Sequence, residues 1–246
     1  MVLQVQIGEQ KLEEMELLPL LTRYQLLPRL AQDMIIDQAI ATTPELKVTK
    51  EEMQGAVNAF MQQRQFKSED ELKNWLNTNG LTLEQFPMII SRPILLEKFK
   101  RQRWGDNLET YFVQRKSKLD RIIYSLIRTD DPGVAQELYF RILDDPSIFP
   151  DIARKYSKGA EAQTGGLVGP VEMSTPHPMM MQMLSSSQPG ELKPPVKIGE
   201  WFVILRLEKM SPAKLDDQMK KRLINEQFEQ WLNQEVQEKV VIQHSE

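Results

Sequence analysis

The chain holds two histidines, His177 and His244, and no cysteine. Thiolate catalysis, disulfide stapling and cysteine-based metal sites are therefore excluded. Neither imidazole has a second one at ligand spacing, so no zinc or non-haem iron site and no cofactor is expected. What remains for chemistry is apolar and aromatic. Met179, Met180, Met181 and Met183 crowd into one short stretch behind Pro176-His177-Pro178. Unbranched, polarisable methionine side chains adapt to partners of varied shape, so the cluster reads equally as ordinary helix core and as a groove for polypeptide. Tyr124 stands in the β-branched apolar run RIIYSLIR, either as a core or rim residue of a strand or as a group able to polarise a bound amide. His177, between two prolines, reads as an exposed loop residue.

These residues need elements to position them. Arg121 to Arg128 reads as a buried strand, ended by the turn residues Thr129-Asp130-Asp131-Pro132-Gly133. Asp131-Pro132 then opens a helix to about Leu143, and Asp145-Pro146 opens another to about Tyr156, with proline suiting the first helical position in both. From Gly159 to Pro195 the chain is rich in Gly, Pro and Ser, and Gly165, Gly166 and Gly169 read as structural turn glycines. Trp201 to Leu207 is a second strand. Ser211-Pro212 is expected to start a long amphipathic helix carrying Leu215, Met219, Leu223, Phe228, Trp231, Leu232, Val236 and Val240.

Upstream the pattern is helix after helix. Val2 to Ile7 alternates weakly and reads as one short strand, and from Glu13 apolar residues recur at three and four. Thr49 with Glu52, Ser68 with Glu71, and Thr82 with Gln85 are capping-box pairs, in which each side chain satisfies a backbone donor of the other residue's turn. Gly80 stands where the helix starting at Ser68 should stop. A solitary terminal helix with a broad apolar stripe is not stable alone in water, so it is expected to pack back on the N-terminal helices, making the middle of the chain an insertion.

With 246 residues, 41% apolar and 27% charged, the chain is of ordinary globular composition, long enough for one large domain or two modest ones. A formal net charge of −4 argues against a nucleic-acid partner. No stretch approaches the apolar length of a membrane span, and the first ten residues lack the pattern of a signal peptide, so a cytoplasmic location is expected.

Two stretches together resemble a known family. FPDIARKYSKGAEAQTGGLVGPV, Phe149 to Val171, follows the parvulin pattern of a helix ending in an aromatic and a Ser, a polar loop, and a Gly-Gly-x-x-Gly strand. SSSQPGELKPPVKIGEWFVILRLE resembles the parvulin ending of a Pro-Gly turn, a Pro-Val strand and a final apolar strand. The N-terminal run, with QIGEQ and the helix start at Val48-Thr49, resembles the helical part of SurA-like and PrsA-like foldases. The resemblance implies an α+β fold: a mainly helical frame, residues 1–118 with a C-terminal helix at 213–246, carrying an inserted parvulin-like antiparallel sheet domain at 119–212. It further implies a peptidyl-prolyl cis-trans isomerase and chaperone acting on unfolded or proline-containing polypeptides. Laid on the family pattern, the first-strand histidine falls on Tyr124, the Cys/Asp position near Gly159, and the last-strand histidine on Phe202 or Val203. None is the family's residue. The apolar proline pocket falls on Val168 and Met180, with Met179 and Met183 beside them. Two functions follow as expectations: an isomerase with an altered hydrogen-bonding set and Tyr124 as its catalytic residue, or a catalytically silent chaperone or adaptor, with a secretion system as one possible partner.

Overall fold

A computed structural model describes residues 5–43 and 45–243, so Val2 to Gln4 of the expected first strand, and His244, lie outside the described residues. The chain divides into two compact units, residues 1–108 with 220–246, and residues 109–219.

In the first unit Gly8, in the left-handed region at φ 65°, turns β1 (Val5–Ile7) into β2 (Gln10–Leu12). Helices α1 (Glu14–Arg23), α2 (Leu27–Ala41), α3 (Lys50–Gln63), α4 (Glu69–Thr78) and α5 (Phe86–Trp104) follow. The Thr49 and Thr82 boxes close in both directions. At Ser68 only one half forms, because the Glu71 carboxylate accepts from Lys67 N–H instead. Gly80 at φ 67° ends the turn after α4. The rings of Phe60, Phe66, Trp75 and Phe86 join α3, α4 and the start of α5, with Phe60 and Trp75 centroids 5.2 Å apart. The last helix, α10 (Asp217–Lys239), brings Phe228 and Trp231 against Trp104 and Phe99 of α5 at 5.5 to 6.0 Å. Such ring pairs add about 0.5–1.5 kcal/mol each beyond the area they bury. Lys100 is buried there because its Nζ lies over the Phe228 ring and donates to Asn225 Oδ1 at 3.1 Å.

The second unit runs α6 (Leu108–Leu119), β3 (Arg121–Thr129), α7 (Pro132–Asp144), a 3-10 turn (Pro146–Ile148), α8 (Phe149–Tyr156), a 3-10 turn (Ala160–Thr164), β4 (Leu167–Glu172), α9 (Pro178–Ser185), β5 (Leu192–Ile198) and β6 (Trp201–Ser211). The four strands form one antiparallel sheet in the order β4-β3-β6-β5. The central strands β3 and β6 are apolar nearly throughout because both faces are covered. On one face Ile127 and Ile204 pack with Leu138 and Ile142 of α7 and Phe149, Ile152 and Ala153 of α8. On the other, Ile122, Tyr124, Leu126, Val203, Leu205 and Leu207 pack with Met173 and with Met180 and Leu184 of α9.

Three element boundaries differ from expectation. The helix expected to start at Thr82 begins at Phe86, because residues 83 to 85 form a turn and Gln85 is the N-cap. The helix expected from Ser211-Pro212 begins at Asp217, because the last strand continues past Leu207 and pairs Ser211 with Arg121. The extension is possible because the ladder slips at Ile123/Tyr124, where Glu208 is the extra residue of a bulge. The helix expected from Asp145 is likewise broken. Asp145 Oδ1 accepts from both Ser147 N–H and Ser147 Oγ–H, which fixes a tight turn before α8 starts with Pro150 in its first turn.

Candidate functional site

The pleat decides which candidate residues can meet. Successive residues of a strand face opposite sides, so Tyr124, Leu126 and Arg128 of β3 share a face with their direct partners Leu207, Leu205 and Val203 of β6. Val203 therefore stands on the Tyr124 side. Phe202 does not: paired with Thr129, it points to the opposite face, with Lys197 Nζ 5.9 Å from its ring centroid. Of the two positions left open for the last-strand residue, only Val203 joins the candidate site.

Over this face lies α9. His177 caps it, its Nδ1 accepting from Met179 N–H at 3.2 Å, so the imidazole is part of the device that sets the helix start. Met180 and Leu184 point into the sheet, Met181 and Met183 pack at the margin, and Met179 is exposed. Val168 comes from β4, opposite Tyr124. There β4 bulges at Gly169-Pro170, joined by a cis peptide bond, and a Cβ on Gly169 would stand 2.6 Å from the Ile122 carbonyl oxygen. Tyr124, Met180 and Val203 are only 6%, 8% and 2% exposed, so Met180, alone of the four clustered methionines, is core. What the face offers a partner is a rim of partly buried Val168, Met183, Met181 and Trp201 around them.

A polar set stands on the same face, and no residue of it was singled out from the sequence. Arg128 Nε and Nη2 donate to the two carboxylate oxygens of Glu161 at 2.9 and 2.5 Å, the bidentate form of the pair. Glu161 Oε1 also accepts from Ser157 Oγ–H at 2.6 Å, while Ser157 Oγ accepts from Arg128 N–H at 3.0 Å and Lys158 N–H donates to the Arg128 carbonyl at 2.9 Å. The pair fills the space in front of Gly159. A Cβ at that position would stand 2.0 Å from Arg128 Nη2 and 2.2 Å from Glu161 Oε2. Any side chain at Gly159 would thus have to displace the guanidinium or the carboxylate.

The charges are felt at Tyr124. Burial first, and then the Glu161 carboxylate, hold its hydroxyl above the usual tyrosine range, with Arg128 opposing, so Tyr124 remains a protonated donor at neutral pH. Burial pushes the Glu161 carboxyl up, but the hydrogen bonds from Arg128 and Ser157 outweigh it and the net shift is downward from 4.5. Hydrogen bonding to Glu161 holds the Arg128 guanidinium above its usual range. A carboxyl depressed in the folded state stabilises it above the unfolded value and loses that contribution as pH falls through the folded value. Urea midpoints should accordingly decline as pH drops below about 4.5, with a shallower decline in Glu161→Gln. Equal slopes in the two proteins would show that this carboxyl carries no folding-linked proton.

A signal for the pair did exist. Arg128 sits four residues after Tyr124, on the same face of a strand otherwise apolar, and a charge there requires a partner. The partner is 33 residues away, and sequence spacing does not name it.

Residues 133–209 match the family model described as Rotamase, PPIC-type PPIASE domain. A Chaperone SurA from Polaromonas sp. is 24% identical over 215 residues, which is 77% of this chain and 45% of that protein. The chain thus spans less than half the length of this curated relative. Among solved structures, the peptidylprolyl isomerase PrsA from Bacillus cereus aligns over 98% of this chain and 93% of its own, at 17% identity and a TM-score of 0.54. That likeness shows the fold. Residues 133–209 of the second unit are thus similar to a PPIC-type rotamase domain. Among the described residues no helix is long and apolar enough to cross a membrane.

Proposed function

We propose that the chain is a peptidyl-prolyl cis-trans isomerase and foldase, with residues 119–212 as its rotamase domain and the Tyr124 face of the sheet as its X-Pro site. The observation that carries the reading is the convergence on one sheet face of an apolar rim, Val168, Met181, Met183 and Trp201 around buried Met180 and Val203, with a protonated phenol and a locked guanidinium. It is supported by the match of residues 133–209 to the PPIC-type domain.

The chemistry suits such a site. An X-Pro bond turns over a barrier of about 18–20 kcal/mol and needs no nucleophile. The catalyst must hold the ring in an apolar environment and favour the twisted amide over the planar one, each 1.4 kcal/mol or so being about tenfold in rate. The Met180 thioether gives the ring a wall, and Tyr124 supplies a donor that does not ionise near neutral pH. In a protease-coupled assay the chain should accelerate cis-to-trans conversion of X-Pro tetrapeptides. Met180→Ala should cut that rate by about tenfold, the ratio that about 1.4 kcal/mol of pocket contact makes. A wild-type rate equal to the uncatalysed background would overturn the reading.

A second reading is favoured by the burial of Tyr124, 6% exposed, and by glycine at position 159. In it the domain is a silent parvulin fold that binds clients as a chaperone or as an adaptor, a secretion system being one possible partner. Suppressed aggregation of an unfolded client without isomerase activity would select it.

A further inference from the structure

The Arg128–Glu161 pair joins the end of β3 to the 3-10 turn Ala160–Thr164 at the edge of a largely apolar sheet face, and packing alone does not call for it. A buried ion pair is weak support for stability, since desolvation offsets most of the attraction. Its geometry is over-determined nonetheless. Two hydrogen bonds fix the guanidinium plane on Glu161, Ser157 bridges the carboxylate to the Arg128 backbone, and the missing side chain at Gly159 leaves room for both groups where they stand. The Glu161 side chain is 4% exposed, whereas that of Arg128 is 35% exposed. The donors Nε and Nη2 are engaged, and Nη1 has no hydrogen-bond partner among the described residues. The arrangement therefore holds a fixed, partly exposed cation with unused N–H groups on the Tyr124 side of the sheet.

Resting on the isomerase reading above, we propose that Arg128 is a catalytic residue of this chain, its Nη1 N–H groups donating to the bound X-Pro amide, and that Glu161 and Ser157 are the positioning residues that aim it. When the amide twists, resonance is lost and the nitrogen lone pair becomes localised. The prolyl nitrogen then accepts a hydrogen bond that it cannot accept in the planar ground state. A donor fixed near that nitrogen stabilises the twisted form selectively, which is what raises the rate. No bond is made or broken and no proton is transferred. A guanidinium keeps its charge throughout the physiological range, so this donor does not depend on an imidazole titrating. The pair thus stands in for the missing histidines by a different route, with a cation placed from the strand and held by the loop.

The test compares wild type, Arg128→Lys and the double variant Arg128→Gln/Glu161→Gln, all as the full chain, in the X-Pro tetrapeptide assay. Peptide affinity is measured in parallel with a non-cleavable X-Pro peptide. Arg128→Lys keeps the charge but loses the planar fork and Nη1. It should lower kcat/KM by about 100-fold, the scale of one preorganised transition-state donor, with peptide Kd changed less than about twofold. If Arg128→Lys fails to fold, the double variant replaces the ion pair with a neutral amide pair of similar size and should show the same split. An active wild type with Arg128→Lys or the double variant folded and equally fast overturns this inference alone. Equal losses in affinity and in kcat/KM also overturn it, because they assign Arg128 to ground-state binding. An inactive wild type overturns both this inference and the isomerase reading.

Discussion

Phe149→Ala is expected to lower the unfolding free energy of the second unit by about 3–5 kcal/mol, which is the range for emptying a ring-sized space in a close-packed core. Phe149 is fully buried, the largest side chain of the cluster that joins α7 and α8 to the back of the sheet through Ile127 and Ile204. Its ring also lies 4.7 Å from the Arg206 guanidinium, whose Nη1 donates to the Pro146 carbonyl. Truncation therefore removes the wall against which the start of α8 and the preceding turn are set. A urea titration followed by far-ultraviolet circular dichroism reads the loss. A midpoint displaced by less than about 1 kcal/mol would show that this face is not packed as described. The Tyr124 face is formed by the other side of the same strands, so the isomerase activity proposed for it should survive at low temperature in the folded fraction.

Gly166→Ala should cost about 3 kcal/mol or more, although it adds one methyl group. Gly166 has φ 86°, and the new Cβ would stand 2.9 Å from the Leu126 carbonyl oxygen, 2.9 Å from Phe149 Cε1 and 3.0 Å from Ala153 Cβ. None of these is the loose end of a flexible side chain. The backbone cannot move away either, because Gly166 N–H donates to the Glu161 carbonyl at 2.7 Å and its carbonyl accepts from Leu126 N–H at 2.9 Å. The two costs separate by comparison with Gly190→Ala. There φ is nearly the same at 85° but nothing lies within 4 Å, so only the backbone term remains, about 1 kcal/mol. Equal melting temperatures for the two variants would contradict the close approach of β3 to the loop at Gly166. Displacement of this loop would also move Glu161, five residues earlier, so Gly166→Ala should lose isomerase activity faster than it loses structure.

Taken together, the site is a compromise between a packed core and a polar set. Val203 and Met180 are buried as ordinary core residues are, and beside them the site gains its polarity from a strand residue, Arg128, and a loop residue, Glu161. The loop from Ser157 to Gly166 therefore carries the function in this reading. It supplies the carboxylate, the bridging hydroxyl and the two glycines that let both approach β3.

Local rules were enough for much of the molecule. Thr49 with Glu52, Asp131 before Pro132 and Gly80 after α4 act through atoms within four residues, so sequence alone determined where those helices begin or end. The strands at Arg121 and Trp201 and the helix after Asp131 were legible for the same reason, since β-branched runs and turn residues are local signals, whereas the α+β class with its parvulin-like sheet came from the resemblance of two stretches to a known family. Tertiary structure decided the rest wherever a residue's state depends on a partner far along the chain. Whether Phe202 or Val203 faces Tyr124 follows from the register of β6 on β3, set across about 80 residues. Pairing of Ser211 with Arg121, not helix propensity at Ser211-Pro212, made residues 208 to 211 strand. Arg128 could be recognised as a charge needing a partner, but choosing Glu161 among 35 acidic side chains required the fold. Hydrogen-bonding groups find partners by position in space, and only the folded chain brings those positions together.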